Sequence, residues 1–235
     1  MIIVENLTKK FEDFTALNNL SMHVENGSIY GLVGVNGSGK TTLIKHLTGV
    51  YKADCGIVEI DGKDVWENIS VKEIVGYIPD ELFFFQNYSL ASEHAFYKNL
   101  YADWNEELYR SMISDFGLDE GKRISKFSKG MQKQAAFALV LATMPKYLLL
   151  DEPMDGLDPI MRKKVWSYVL SEVADREMTV VISSHNLREL EGICDSIGIL
   201  SQGSLRFEGK LDELKNNEKG MTLEELFFYE MEGGN

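Results

Sequence analysis

The spacing of hydrophobic and polar positions changes several times along this chain, and each change marks an element. Residues 1–33 hold short apolar-rich stretches broken by turn signals at Glu12-Asp13 and Glu25-Asn26-Gly27, which predicts strands. The last of them, Ser28-Ile29-Tyr30-Gly31-Leu32-Val33, has the unbroken apolar character of a strand buried on both faces. Gly56-Ile57-Val58-Glu59-Ile60 predicts another strand, closed by the turn Asp61-Gly62. Between about 80 and 143 the texture becomes helical, rich in aromatic and charged residues, and reads as an insertion. Continuous apolar runs then return at Tyr147-Leu148-Leu149-Leu150 and Thr179-Val180-Val181-Ile182, with a helical stretch at about 158–174 between them. Strands alternating with helices predict a parallel sheet with crossover helices. Near the end, a helix is expected around 211–215. Thr222-Leu223-Glu224-Glu225 then forms a capping box, a structural helix start.

Three of these strands run into polar, reactive residues at their carboxyl ends, where open α/β sheets bind ligands. The first continues into Gly34-Val35-Asn36-Gly37-Ser38-Gly39-Lys40-Thr41, which fits G-x-x-x-x-G-K-[ST] at every fixed position. Glycines at 34, 37 and 39 let the backbone curl so that successive N–H groups face inward as an anion nest. A helix follows, with Leu43, Ile44 and Leu47 on one face, and its N-terminal end adds unpaired donors. The pattern names a nucleoside triphosphate with magnesium. Lys40 reaches the β- and γ-phosphates, Thr41 is the expected magnesium ligand, and Thr42 completes the phosphate-binding stretch that starts at Gly34. The second strand ends in Asp151-Glu152-Pro153: one carboxylate suits magnesium, the other suits a base or orienter for attacking water. The third ends in Ser183-Ser184-His185.

Composition narrows the picture further. The 235 residues suffice for one large domain or a core with a subdomain, and a net charge of -13 argues against a nucleic-acid surface. Lys122, Arg123, Lys126, Lys129 and Lys133 gather locally and read as a solvated helix face. Cys55 and Cys194 form no C-x-x-C pair, consistent with incidental thiols in a cytosolic protein. The opening residues lack a signal-peptide pattern, and no stretch approaches the roughly 20 consecutive apolar residues of a membrane helix.

Phe127-Ser128-Lys129-Gly130-Met131-Gln132 reads locally as a helix start, with Ser128 as N-cap and Gly130 exposing backbone in the first turn. Together with the motifs above, it resembles the ATP-binding subunits of ABC transporters, over nearly the whole chain. Gly34 to Thr41 matches the Walker A loop, and Leu148-Leu149-Leu150-Asp151-Glu152-Pro153 matches Walker B with its catalytic glutamate. Phe127 to Met131 is similar to the signature motif L-S-G-G-Q, and Asp155-Gly156-Leu157-Asp158 to the D-loop. His185 stands at the switch-histidine position, and Phe11 fits the aromatic that stacks on adenine, with Phe14 as a nearby competitor for that role.

The resemblance implies an α/β fold of the P-loop NTPase, ABC ATPase type: a mixed sheet core with an antiparallel β subdomain and a helical subdomain. In this chain it would be a single domain, with core and β subdomain in 1–79 and 147–210, helices in 80–146 and a helical tail in 211–235. It implies ATP and Mg2+ as ligands, Asp151 on magnesium through water, Glu152 as base and His185 on the γ-phosphate. Family members close head to tail around two ATP molecules, so Ser128 and Gly130 would meet the partner's γ-phosphate. The implied partners are a second ATP-binding subunit, the same or different, and membrane-spanning permease subunits, on the cytoplasmic face of the membrane. A soluble ATP-driven switch is the alternative, although such relatives usually carry paired domains or coiled coils that this chain lacks.

The chain also departs from the family pattern. Lys129 and Met131 replace glycine and glutamine in the signature, a form closer to small bacterial exporters than to importers. In Val75-Gly76-Tyr77-Ile78-Pro79-Asp80, Asp80 stands where the Q-loop glutamine is usual. A carboxylate can bind magnesium but, ionised, cannot donate a hydrogen bond. Gln86 is the other possible occupant of that role. Leu82-Phe83-Phe84-Phe85 places four large apolar residues in a loop near the surface, divided between core packing and a permease-docking face.

Overall fold

The computed structural model of the chain describes residues 1–216 and 221–232. Strands β1 (Ile2–Phe11) and β2 (Phe14–Val24) form an antiparallel hairpin whose last pair is Phe11 with Phe14. β3 (Ile29–Val33) leaves for a second sheet and leads through the glycine loop into α1 (Lys40–Leu47). β4 (Cys55–Ile60) and β5 (Lys63–Asp64) complete the first sheet, whose strand order is β2-β1-β4-β5. A short helix α2 (Ile69–Lys72) precedes β6 (Val75–Ile78). Helices α3 (Leu90–Leu100), α4 (Glu106–Phe116) and α5 (Lys129–Ala142) occupy the stretch expected to be helical, with residues 80–89 irregular before them.

The chain returns through β7 (Tyr147–Asp151), α6 (Pro159–Arg176), β8 (Thr179–Ser184), α7 (Leu187–Glu191), β9 (Ser196–Ser201) and β10 (Ser204–Lys210). The second sheet runs β10-β9-β3-β8-β7-β6, parallel except for the β9–β10 hairpin. This is the mixed core with a separate antiparallel sheet. Helices α8 (Leu211–Asn216) and α9 (Leu223–Glu232) close the chain, α9 packing on α7 and β9. Of the expected tail, 217–220 and 233–235 lie outside the described residues.

The unbroken apolar runs have a direct cause. Alternate residues of the central strands enter two different cores: Tyr147, Leu149 and Val181 face α1 and the antiparallel sheet, whereas Leu148, Leu150, Val180 and Ile182 face the helices. With both faces covered there is no polar side to alternate with. Helix α5 lies close on β6 because Gly76 has no side chain. A Cβ there would meet Val140 Cγ1 at 2.8 Å and the Pro145 ring at 3.0 Å. Helix α6 begins one residue after Asp158, whose carboxylate accepts the N–H groups of Ile160 and Met161, with Pro159 in the first turn. The capping box forms as read: Glu225 accepts the Thr222 N–H at 2.8 Å and Thr222 Oγ1 accepts the Glu225 N–H at 3.2 Å.

Candidate functional site

The glycine loop has the shape its residues dictate. Gly37 (φ +79°) and Gly39 (φ +114°) adopt backbone angles unfavourable to other residues, and a Cβ on Gly34 would lie 2.5 Å from both Ser38 Oγ and Leu200 O. Ser38 is buried in the loop, and its hydroxyl has no hydrogen-bond partner among the described residues. The Lys40 ammonium turns back to donate to the Gly34 carbonyl at 2.8 Å. An inward-facing ammonium, an unpaired hydroxyl and the open start of α1 form a cradle that suits a phosphate chain. Val35, Asn36 and Gly37 are exposed at its rim, with Thr41 at the start of the helix.

The end of β7 faces this cradle. Glu152 holds one carboxylate oxygen 3.7 Å from Lys40 Nζ; the other lies 2.9 Å from His185 Nδ1 and accepts the His185 N–H at 3.3 Å. Ser183, at the end of β8, fixes both acids. Its hydroxyl donates to Asp151 Oδ1 at 2.5 Å, and its Oγ and carbonyl accept the Glu152 N–H at 3.1 and 3.2 Å. Asp151 is thereby buried beneath Glu152. Thr41, on the cradle, and the two acids supply the oxygen donors that magnesium favours. Three strand ends thus meet at one place.

A cleft of about 430 Å³ brings together Asn36, Gly37, Gly39, Lys40, Thr41, Thr42, Asp80 and Glu152. His185 lines an adjoining cavity of about 390 Å³ with Glu152 and Asp155. Neither Ser128 nor Gly130 lines the cleft. Ser128 caps α5, accepting the Met131 N–H at 3.2 Å, and Gly130 packs on the D-loop, where a Cβ would meet the Gly156 carbonyl at 2.8 Å. Of the two aromatics, Phe14 (63% exposed) lines the cleft, whereas Phe11 packs edge-on against Tyr51 with the Lys9 ammonium over its ring. The hairpin turn between them sends the rings to different places.

Lys133 differs from expectation. Lys122, Arg123, Lys126 and Lys129 are exposed, as a solvated face requires, but Lys133 is buried. Its ammonium donates to the Glu152 carbonyl at 2.6 Å and lies 3.7 Å from Asp80 Oδ1. Burial pushes its pKa down, opposed by Asp80, Asp155 and Glu152. The pattern could have shown this, since Lys133 sits four residues before Phe137 and seven before Val140, on the buried stripe of α5. The aromatic loop alternates: Leu82 and Phe84 pack on the core, while Phe83 (80% exposed) and Phe85 face outward, with Phe85 against Tyr88 and Phe96. Among the described residues no helix is long and apolar enough to cross a membrane.

A phosphate loop, an acidic strand end and a histidine at the carboxyl edge of one parallel sheet define a P-loop nucleoside triphosphatase. The family model described as ABC transporter matches residues 17–155. The chain is 33% identical over 215 residues to the ABC transporter ATP-binding protein YtrB of Bacillus subtilis, covering 92% of this chain and 74% of the relative. It is 32% identical over 240 residues to the lantibiotic transport ATP-binding protein SrtF of Streptococcus pyogenes, covering 97% and 96%. A solved ATP-binding subunit of an ABC transporter superposes with a TM-score of 0.90 at 24% identity, covering 98% of this chain and 99% of that one. The chain belongs to the ABC transporter family, as an ATP-binding subunit that hydrolyses ATP.

Proposed function

We propose that two such subunits, copies of this chain or this chain with a related one, close head to tail around ATP and drive export through separate membrane subunits. The observation that carries the paired arrangement is the separation just described. Ser128 and Gly130 expose a helix start that does not line the chain's own phosphate cleft, so they suit a phosphate bound by another subunit. A transport role is supported by the similarity to a lantibiotic transport subunit, and export by the signature residues Lys129 and Met131. The exposed ring of Phe83, with Phe85 beside it, suits contact with a membrane subunit at the cytoplasmic face.

Within the site, residues 34–42 hold the phosphates and Phe14 covers the base. Lys40 exchanges its contacts with loop carbonyls and Glu152 for contacts with the phosphate chain. Magnesium would be held by Thr41 and by Asp151 through water, with Asp80 at the cleft wall; it neutralises phosphate charge when bound. Glu152 takes the proton of the attacking water, and His185, bonded to it, faces the γ-phosphate. Residues 80–146 act as the helical subdomain that presents the signature.

Glu152→Gln tests the pairing. Without the basic carboxylate, hydrolysis should fall by roughly a hundredfold or more, and ATP should hold the variant as a dimer in size-exclusion chromatography with light scattering. A variant that stays monomeric at saturating ATP, alone and with its membrane subunits, would overturn the reading.

A further inference from the structure

The main chain of Glu152 sits in an unfavourable conformation. Its φ of +44° is in the left-handed region, and it immediately precedes Pro153, which disfavours helical angles at the residue before it. Strain of this kind persists only where the surroundings impose it. Here they do so from both sides. Ser183 accepts the Glu152 N–H with its carbonyl and hydroxyl, and the Lys133 ammonium donates to the Glu152 carbonyl at 2.6 Å. The backbone direction set by these contacts aims the carboxylate between Lys40 and His185.

Lys133 is an expensive choice for this place. Its side chain is 6% exposed, on an otherwise apolar stripe where a residue such as methionine would fill the same volume without desolvating a charge. The charge has specific company instead: the Glu152 carbonyl, and Asp80, which lines both the phosphate cleft and the 580 Å³ cavity that Lys133, Lys129 and Asp155 share. One turn earlier on the same helix stand Ser128 and Gly130.

From this convergence we infer that Lys133 is a positioning residue for hydrolysis. By gripping the Glu152 carbonyl and pairing with Asp80, it fixes the direction of the catalytic carboxylate and ties it to the helix that carries the signature. The inference rests on Glu152 being the base. Asp80 thus gains a role that needs no amide, as counter-ion to Lys133 at the cleft wall.

The test compares wild type, Lys133→Met and Lys133→Gln for ATPase kcat and KM, for the Kd of a fluorescent ATP analogue measured without magnesium, and for Tm. Lys133→Met should lose roughly tenfold to a hundredfold in kcat, the scale set by small misplacements of reacting groups. Analogue Kd should stay within about twofold of wild type, since this contact does not touch the phosphate loop. Lys133→Gln keeps an N–H donor on a shorter stem and should fall between the two. Wild-type kcat in Lys133→Met overturns the inference. So does a loss of rate matched by weakened analogue binding or a collapsed Tm that Lys133→Gln shares. If Lys133→Met does not fold, Lys133→Gln decides alone: reduced kcat at unchanged Kd supports the inference, and wild-type kcat overturns it. A Glu152→Gln control that hydrolyses ATP normally would instead remove the base assignment beneath it.

Discussion

Phe11 and Phe14 differ by three positions in sequence and by a whole environment in space. One β-hairpin pair separates a ring held by Tyr51 and Lys9 from a ring on the wall of the phosphate cleft. Aromatic stacking on a base is worth about 1–3 kcal/mol, so Phe14→Ala should weaken ATP binding by about tenfold, while Phe11→Ala should leave it nearly unchanged. Titration with a fluorescent ATP analogue separates the two outcomes. At this scale the sequence is explicit where chemistry demands a fixed string, as in Gly34 to Thr41 or Asp151-Glu152. It is silent where geometry chooses between similar residues. Nothing local distinguishes Phe11 from Phe14, and the burial of Lys133 shows only when the stripe of α5 is followed to Phe137 and Val140.

Helices and strands were legible in proportion to their surroundings. Strands covered on both faces announced themselves, and α6 could be read to within two residues of its observed ends from Asp158-Pro159 and its period. Strands β9 and β10 leave no comparable signal in the sequence, because β10 is a half-exposed edge strand and the β9 apolar run is short. The start of α4 shows a network that no period reveals. Glu106 accepts bonds from Trp104 Nε1 at 2.9 Å, Lys98 Nζ at 3.2 Å and Arg110 Nε at 2.8 Å, with His94 Nε2 2.9 Å away. Burial alone would raise its pKa, but these donors outweigh it and lower the value to about 2 from the ordinary 4.5. With the folded value below the unfolded one, the network stabilises α4 above about pH 4.5 and loses that contribution as pH falls toward 2. Wild type should therefore melt above Glu106→Gln at pH 6, and the gap in Tm should shrink steadily below pH 4.5 in thermal scans.

Across the whole molecule, the phosphate cleft is one exposed feature and the outward rings of Phe83 and Phe85, the docking face proposed above, are another. Phe83 contributes little to the fold, being 80% exposed, whereas its neighbour Phe84 packs on the core. Phe83→Glu should accordingly leave Tm and ATP binding unchanged while abolishing co-purification with membrane subunits from native membranes. Retained co-purification would move the docking face elsewhere. Across the cavity from Leu82, the signature helix abuts the D-loop: a Cβ on Gly130 would meet the Gly156 carbonyl at 2.8 Å, so not even a methyl group fits on Gly130. Such an abutment has no slack. Under the proposed pairing, a push on the tip of α5 from a neighbouring subunit would pass directly to the loop after Glu152, much as one tooth of a gear cannot turn without the next.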